Sequence, residues 1–317
     1  MRKLLPVLLI LLIFSCSDEE VMQPENNLEF TTGKNSYQME VNGNLRNFHV
    51  FVPSSYDETQ ETPLVFMFHG SGGNGNNVYE TSGWKEVAEA NNFICVFPTA
   101  LEYFVISVNR NQTKWSAGGL STELEEGTAI EDDIPFVEDM LDLCMQAFNI
   151  DEDRIYASGF SNGGGFSKSR IMCELSDVFA AIGTAGGHGL PEFVTVQSSD
   201  LISLHTIMGN KDDKKLTLAG QSDPFPMLAT EIMDHTYLRN SIDNILEMLQ
   251  LNEDYSSEVQ MPYFNTLSFT SPKTNSENEY IFRMVKDMGH IWPNGSNHPS
   301  GLNAAELFWE FFKTHEK

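Results

Sequence analysis

The pentapeptide Gly159–Gly163, with the sequence Gly-Phe-Ser-Asn-Gly, lies between a short apolar run at 154–158 and a helical pattern at 162–175. A G-x-S-x-G sequence in this setting is typical of a tight, strained turn from a strand into a helix. The glycines leave room for the backbone there, and the turn holds the serine oxygen above the end of a sheet. The motif in this context therefore predicts a strand, a sharp turn and a helix at this point. It favours Ser161 as a nucleophile over a serine that only caps a glycine-rich turn.

Strand-like and helix-like segments alternate on both sides of this turn. Pro63–Phe68 is a continuous apolar run of the kind found in strands that are buried on both faces of a parallel sheet. Residues 37–52 carry two alternating runs around Asn42-Gly43-Asn44, which predicts a hairpin. The pattern predicts an α/β fold in one domain at 36–317, with a mostly parallel central sheet and helices on both faces. Further strands are predicted at 93–97, 178–184, 201–208 and within 257–286, helices at 81–91, 130–148, 224–250 and 303–315, and a loop at 100–131.

A serine hydroxyl needs a base to accept its proton, and the base needs a carboxylate that orients it. His290 lies in a loop after a late strand, which is the favoured position for the base, with His298 as the alternative. Asp212 comes just beyond the predicted strand at 201–208, where a carboxylate reaches the same end of the sheet as the turn around Ser161. Asp213 is the neighbour that could replace it, and a solvated acidic turn is the alternative interpretation.

Two backbone N–H groups are expected to hold the oxyanion that forms when the serine attacks a carbonyl group. One belongs to Asn162, the residue after the predicted nucleophile. The other belongs to the loop His69–Gly73, where glycines let the backbone approach the oxygen, and Ser71 is the favoured donor.

Three further side chains are candidates for contact with a substrate. Trp292 follows the predicted base closely, and Trp115 lies in the loop at 100–131. Both are interpreted either as rings that stack on a sugar or phenol, or as ordinary core or rim aromatics. His188, between glycines at 186–189, is a weaker candidate for the wall of the pocket.

The charge of the chain excludes some partners. It has 19 Lys and Arg against 45 Asp and Glu, a formal net charge of −26. A chain this acidic repels nucleic-acid phosphates and anionic membrane surfaces, so neither is an expected partner. Cys95, Cys144 and Cys173 cannot all pair, and we expect no disulfide among them. The sequence has no CxxC motif or His/Cys cluster, so we expect no metal and no cofactor.

The first residues form a targeting signal. Arg2 and Lys3 precede the apolar run Leu4–Phe14, and Cys16 follows after one small residue. We interpret 1–15 as a lipoprotein signal peptide, Cys16 as the lipidated residue and 16–35 as a tether; an ordinary secretory signal is the alternative. The expected location is outside the cytoplasm, on the outer membrane or cell surface, with the lipid as the only contact with the membrane.

Taken together, the motifs resemble the esterase/polyhydroxybutyrate depolymerase family, which is close to the family 1 carbohydrate esterases such as feruloyl and acetylxylan esterases. The resemblance extends over most of 45–317 and is far more specific than G-x-S-x-G alone. It is carried by Pro63–Gly70, Trp84–Glu89, Asp132–Phe136, Ile150–Tyr156, Gly159–Gly164, Cys173–Leu175, Asp177–Ile182 and Gly289–Pro293.

The resemblance implies an α/β-hydrolase fold, a triad of Ser161, Asp212 and His290, and a serine esterase. We expect the protein to be a monomer. Its substrates would be feruloyl or acetyl esters of plant polysaccharide, or hydroxyalkanoate esters. Two features depart from the family: Ser71 stands where a cysteine is common, and 214–256 forms a long helical insertion that we interpret as a lid or cap. A surface lipoprotein that binds polysaccharide without turnover, and a serine peptidase of the same fold, remain the alternatives.

Overall fold

The computed structural model describes residues 30–187, 201–270, 272–273 and 277–317. The predicted signal peptide at 1–15, Cys16, most of the predicted tether and His188 lie outside the described residues. The first strand of the described residues begins at Gly33, so the sheet reaches into the predicted tether at 16–35.

Ten of the described strands form one sheet, in the order β1-β2-β4-β3-β7-β8-β9-β12-β11-β10, and β5 and β6 form a separate hairpin. The central neighbours from β4 to β12 pair in parallel, while both outer parts of the sheet pair antiparallel. The strands are β1 Gly33–Val41, β2 Asn44–Val52, β3 Thr62–Phe68, β4 Ile94–Pro98, β5 Glu102–Val105, β6 Arg110–Thr113, β7 Ile150–Phe160, β8 Ala181–Ala185, β9 Ser203–Gly209, β10 Ser256–Gln260, β11 Phe264–Phe269 and β12 Tyr280–Val285.

Helices cover both faces of the sheet, because successive side chains of each buried strand point to opposite faces. Three residues of β3 point to one face of the sheet: Leu64, Phe66 and Phe68. They pack in a core that also contains residues of the helices α3 to α8. Val65 and Met67 pack on the other face, with α1, α2 and α9. The helices of the described residues are α1 Gly75–Thr81, α2 Trp84–Asn91, α3 Ile134–Ala147, α4 Asn162–Phe166, α5 Met172–Glu174, α6 Asp213–Leu218, α7 Ala229–Asp234, α8 Thr236–Met248 and α9 Ala304–Phe312.

Most predicted elements are confirmed. Every residue of β3, β4, β8 and β9 is buried, as continuous apolar runs in a parallel sheet require. The hairpin at 37–52 is present, and Asn42 and Gly43 turn it with φ of 51° and 78°. Both values suit the twist of the strands that the turn joins.

Two predictions need correction. The segment 100–131, predicted as a loop, contains the hairpin of β5 and β6, whose strands of four residues each are too short to show a clear alternation in the sequence. The segment 214–256 is helical as predicted, but it is not a detached lid. Leu216, Ile232 and Leu246 pack in the same core as the sheet residues, so its helices form part of the layer on that face.

Within the described ranges, no helix is both long and apolar enough to cross a membrane. Cys95 and Cys144 are buried, Cys173 is half-buried, and all three are free thiols. Burial raises the pKa of the Cys144 and Cys173 thiols to about 12, which leaves them protonated and unreactive at neutral pH.

Candidate active site

The predicted turn around Ser161 joins the end of β7 to the start of α4. Ser161 has φ 52° and ψ −115°, a conformation that side chains rarely adopt and that surrounding structure must hold in place. A Cβ atom on Gly159 would lie 2.5 Å from the Gly163 carbonyl oxygen, and one on Gly163 would lie 2.3 Å from that of Phe68. Both glycines of G-x-S-x-G are therefore required by the close approach of main chains.

The side chains of Ser161, His290 and Asp212 form a continuous chain of hydrogen bonds. His290 Nε2 lies 2.8 Å from Ser161 Oγ, and His290 Nδ1 lies 2.8 Å from Asp212 Oδ2. An ionised carboxylate only accepts, so the Nδ1 atom carries the proton and Nε2 is left to accept the serine proton. This is the tautomer that a general base for Ser161 requires.

Asp212 is held in its ionised form. Its side chain is only 1% exposed, and burial alone would raise the pKa of its carboxyl. Burial is opposed by the hydrogen bond and electrostatic attraction of His290, by a hydrogen bond from the Lys215 N–H at 3.0 Å and by the charge of Lys215. Together these contributions outweigh burial and hold the pKa of Asp212 below its usual range. Asp212 also caps the start of α6, so the helix that follows fixes its position.

Main-chain contacts bring the acid and the base together across 78 residues of sequence. They follow β9 and β12, which are adjacent and parallel. A Cβ on Gly209 would lie 2.1 Å from the Met288 carbonyl oxygen, so the two loops touch directly. The Lys211 N–H donates to that same Met288 oxygen at 2.9 Å. The Asp287 N–H donates to Asn210 Oδ1 at 2.6 Å.

The alternative base and acid are elsewhere. His298 Nδ1 pairs with Ser300 Oγ at 2.8 Å. The Asp213 side chain is 69% exposed and lies 3.4 Å from Lys214 Nζ. The structure therefore brings together Ser161, Asp212 and His290 and leaves both alternatives out.

The loop His69–Gly73 lies against the turn around Ser161. A Cβ placed on Gly70 would be 3.2 Å from the Cβ of Ser161. Among the described residues, no acceptor bonds the N–H groups of Ser71 and Asn162, so both donors are free for a ligand oxygen. The arrangement is compatible with the predicted oxyanion hole.

His69 fixes the conformation of this loop. Its Nε2 accepts a hydrogen bond from the Ala100 N–H at 3.1 Å, so Nδ1 carries the proton and donates to the Gly70 carbonyl oxygen at 2.7 Å. Burial lowers the pKa of His69 to about 4. The ring is therefore neutral at physiological pH and serves as a structural brace.

The prediction that Trp115 stacks on a substrate is wrong, because the side chain is fully buried. Its indole Nε1–H donates to the His69 carbonyl oxygen at 2.9 Å, and its main-chain N–H donates to Asn162 Oδ1 at 2.8 Å. Trp115 thus ties together the two segments that carry the candidate oxyanion donors. A buried indole needs an acceptor, but its spacing in the sequence does not reveal which one.

Trp292 is also a core residue, so its predicted contact with a substrate is wrong too. It is 9% exposed, packs on Phe308 and donates its Nε1–H to the Ser82 carbonyl oxygen at 2.8 Å. The aromatic side chain beside the base is instead Phe160, which is half-buried, with its ring centre 5.1 Å from that of His290. Phe160 occupies the first x position of the G-x-S-x-G motif. The motif allows any residue there, so it did not indicate an aromatic ring beside the base. Within the described ranges, no group of His, Cys, Asp and Glu side chains could hold a metal ion.

A family model described as phospholipase/carboxylesterase matches residues 49–213. The chain is 27% identical over 179 residues to a bifunctional acetylxylan esterase/xylanase of Neocallimastix patriciarum. The aligned region covers 56% of this chain and 23% of that protein. The chain is 28% identical over 246 residues to a Nocardia uniformis subsp. tsuyamanensis protein named for an esterase activity, covering 74% of this chain and 66% of that one. The chain thus spans less than two thirds of the length of either relative.

Solved structures show the same fold at low identity. The acetyl xylan esterase from Aspergillus awamori superposes with a TM-score of 0.55 at 11% identity, over 88% of this chain and 99% of that one. The family model spans just over half of the sequence and contains both the turn around Ser161 and Asp212. The chain therefore has the α/β-hydrolase fold and belongs to the phospholipase/carboxylesterase family.

Proposed function

We propose that the protein hydrolyses carboxylic esters, with Ser161 as nucleophile, His290 as general base and Asp212 as the carboxylate that orients it. The observation that carries the proposal is the pair of 2.8 Å hydrogen bonds on the two nitrogens of His290. A neutral imidazole with its Nδ1 proton held by an ionised carboxylate is the arrangement that activates a serine hydroxyl.

The reaction follows from these positions. Ser161 Oγ attacks the ester carbonyl while His290 Nε2 takes the serine proton, and Asp212 stabilises the imidazolium that forms. The N–H groups of Ser71 and Asn162 donate to the oxyanion. His290 then protonates the departing alcohol oxygen, which leaves an acyl group on Ser161. A water molecule that loses its proton to His290 releases the acid by the same steps in reverse.

Acetyl or feruloyl esters of plant polysaccharide are the substrate class we propose first, and hydroxyalkanoate esters come second. The name of the Neocallimastix relative supports the first class. Phe160, half-buried beside His290, offers an apolar wall for an acyl or phenolic group. Side-by-side rates on methyl ferulate, acetylated xylan, hydroxybutyrate oligomers and peptide amides test the choice. Amide cleavage faster than all ester cleavage would assign the chain to the peptidases instead.

Replacement of the nucleophile tests the reaction itself. We expect Ser161→Ala to lower the rate of p-nitrophenyl acetate hydrolysis by about 10⁴-fold or more, because the covalent step is lost. Ser71→Ala is the matched control: it removes a hydroxyl in the same site but keeps the backbone N–H, so its rate should stay within about 10-fold of wild type. Undiminished hydrolysis by a folded Ser161→Ala protein would overturn the assignment.

We also propose that the protein is a lipoprotein held outside the cytoplasm through Cys16. The apolar run Leu4–Phe14 after Arg2 and Lys3, with Cys16 directly behind it, supports this location. Metabolic labelling with palmitate should mark the wild-type protein and not Cys16→Ser. Equal labelling of the two would refute the anchor.

A further inference from the structure

Two lysine side chains are buried beside the Gly187 carbonyl group and take no part in the proposed reaction. Lys168 follows α4 and Lys215 lies on α6, and they are 5% and 4% exposed. Lys168 Nζ donates to the Gly187 carbonyl oxygen at 3.3 Å, and Lys215 Nζ donates to the same oxygen. The two ammonium groups are therefore within two hydrogen-bond lengths of each other.

Among the described residues, the charge of this pair is not balanced by an ion pair with an acid. Asp212 is the one acid whose charge acts on Lys215, and its oxygens already accept from His290 and from the Lys215 main chain. Buried charges are normally paired. Because the Asp212 carboxylate already accepts other hydrogen bonds, two buried ammonium groups without an ion-pair partner would attract an anion.

A cavity of about 40 Å³ adjoins both lysines. This volume holds a small ion or a few waters. Tyr237 lines the cavity as well, and burial raises the pKa of its hydroxyl to about 12, so this group remains a hydrogen-bond donor. The remaining wall is largely apolar, with Met208, Leu238 and Phe282. Donors on one side and an apolar wall on the other suit a small anion of low charge.

We propose that this cavity binds a small monovalent anion, of the size of chloride, between Lys168 Nζ and Lys215 Nζ. The proposal does not depend on the esterase reaction, because the ion would stabilise the folded protein whether or not Ser161 is a nucleophile. The same chemistry would accept a halide from solution or a short carboxylate such as the acetate that ester hydrolysis releases.

Binding should weaken as pH rises. Burial lowers the pKa of Lys168 to about 8 and that of Lys215 to about 7, the latter helped by the charge of Lys168. An anion favours the charged lysines, so it binds with proton uptake and is lost as the lysines deprotonate. Among the described residues, the other titratable groups around the pair are Asp212 with its partner His290, Tyr237 on α8 and Tyr280 on β12. Burial raises the pKa of both tyrosines above the range of the test.

The test measures the melting temperature of the full chain at constant ionic strength, while sodium gluconate is replaced by sodium bromide. Gluconate is too large for the cavity and keeps the screening of surface charges constant. We expect Tm to rise by about 2 °C or more at pH 6.5, and by less at pH 9. A parallel series with sodium acetate distinguishes the two sources of anion: a rise with bromide alone assigns the site to halides.

Matched variants locate the effect. Lys168→Met and Lys215→Met should each abolish the bromide-dependent rise in Tm. Lys214→Met, which changes an exposed lysine at the next position, should keep it. Crystals soaked in bromide should show anomalous scattering between the two ammonium groups. If bromide appears at surface positions alone, it is an adventitious ion only, and the proposal is overturned. A wild-type Tm that does not respond to bromide would overturn it as well.

Discussion

At the scale of single residues, the side chains around Ser161 are held by bonds to the main chain. Trp115 is an example. Its indole Nε1–H donates to the His69 carbonyl oxygen, and its main-chain N–H donates to Asn162 Oδ1. The relative position of the two candidate oxyanion donors therefore depends on a side chain that no substrate reaches. Preorganised donors of this kind lower the barrier only when their geometry is kept.

Trp115→Phe should lower kcat by about 10-fold with little change in KM, because the oxyanion donors lose part of their alignment while binding of the ground state does not. The ring would still pack on Phe68 and Phe166. Trp84→Phe is the control, since it removes another buried indole bond, at 3.2 Å to Ser158 Oγ, on the other side of the sheet. Steady-state kinetics of both variants decide the question, and an equal loss of kcat in the two would contradict the role given to Trp115.

His205 is a second residue whose surroundings matter, in this case for stability. It lies in β9, where we would expect a core histidine with hydrogen-bond partners, but neither ring nitrogen has a partner among the described residues. The ring contacts the rings of Phe308 and Phe311 on α9. Burial lowers the pKa of His205 to about 3.

This buried histidine should make the protein sensitive to acid. The unfolded chain takes up a proton near pH 6.5 while the folded chain does not, so stability is complete above pH 6.5 and falls as the pH drops toward 3. His205→Leu should remove this part of the acid sensitivity, which amounts to about 2–3 kcal/mol between pH 6.5 and 4.5. Urea unfolding at pH 7.5 and pH 4.5 measures it; equal losses in wild type and variant would show that His205 is not responsible.

At the scale of elements, the turn between β7 and α4 depends on the absence of side chains at Gly159 and Gly163. The contacts of Gly163 come from the main chain of β3, which cannot move aside without disturbing the centre of the sheet. The motif is thus a packing requirement as much as a chemical one.

Gly163→Ala should destabilise the protein by about 3 kcal/mol or more, because its Cβ would lie 2.3 Å from the Phe68 carbonyl oxygen. Gly289→Ala is the control in the neighbouring loop, where the nearest atom would be 3.9 Å away. Thermal unfolding compares the two variants with wild type. Similar melting temperatures for both variants would contradict this account of the motif.

At the scale of the whole molecule, the sequence predicted the fold and the three side chains that meet, because local signals mark them. Buried strands have continuous apolar runs, and Ser161, Asp212 and His290 each follow the end of one. The roles of Trp115 and Trp292 could not be predicted in the same way, since burial of an aromatic ring depends on what packs on it from distant parts of the chain. The lysine pair was missed for the same reason, because Lys168 and Lys215 are far apart in the sequence and meet at the Gly187 carbonyl oxygen.

The adjacency of β9 and β12 has a consequence for how such a chain can diverge. The segment between Asp212 and His290 leaves the sheet and returns to it at neighbouring strands, and the two ends are joined by their own main-chain bonds. Lengthening a loop costs little free energy once its ends are fixed. Insertions in the turn between β10 and β11, at the exposed edge of the sheet and beyond the core helices, would therefore reshape one flank of the molecule while the spacing of acid and base stays unchanged. An engineer who wants a new specificity has the same freedom, and can graft segments there without redesigning the centre.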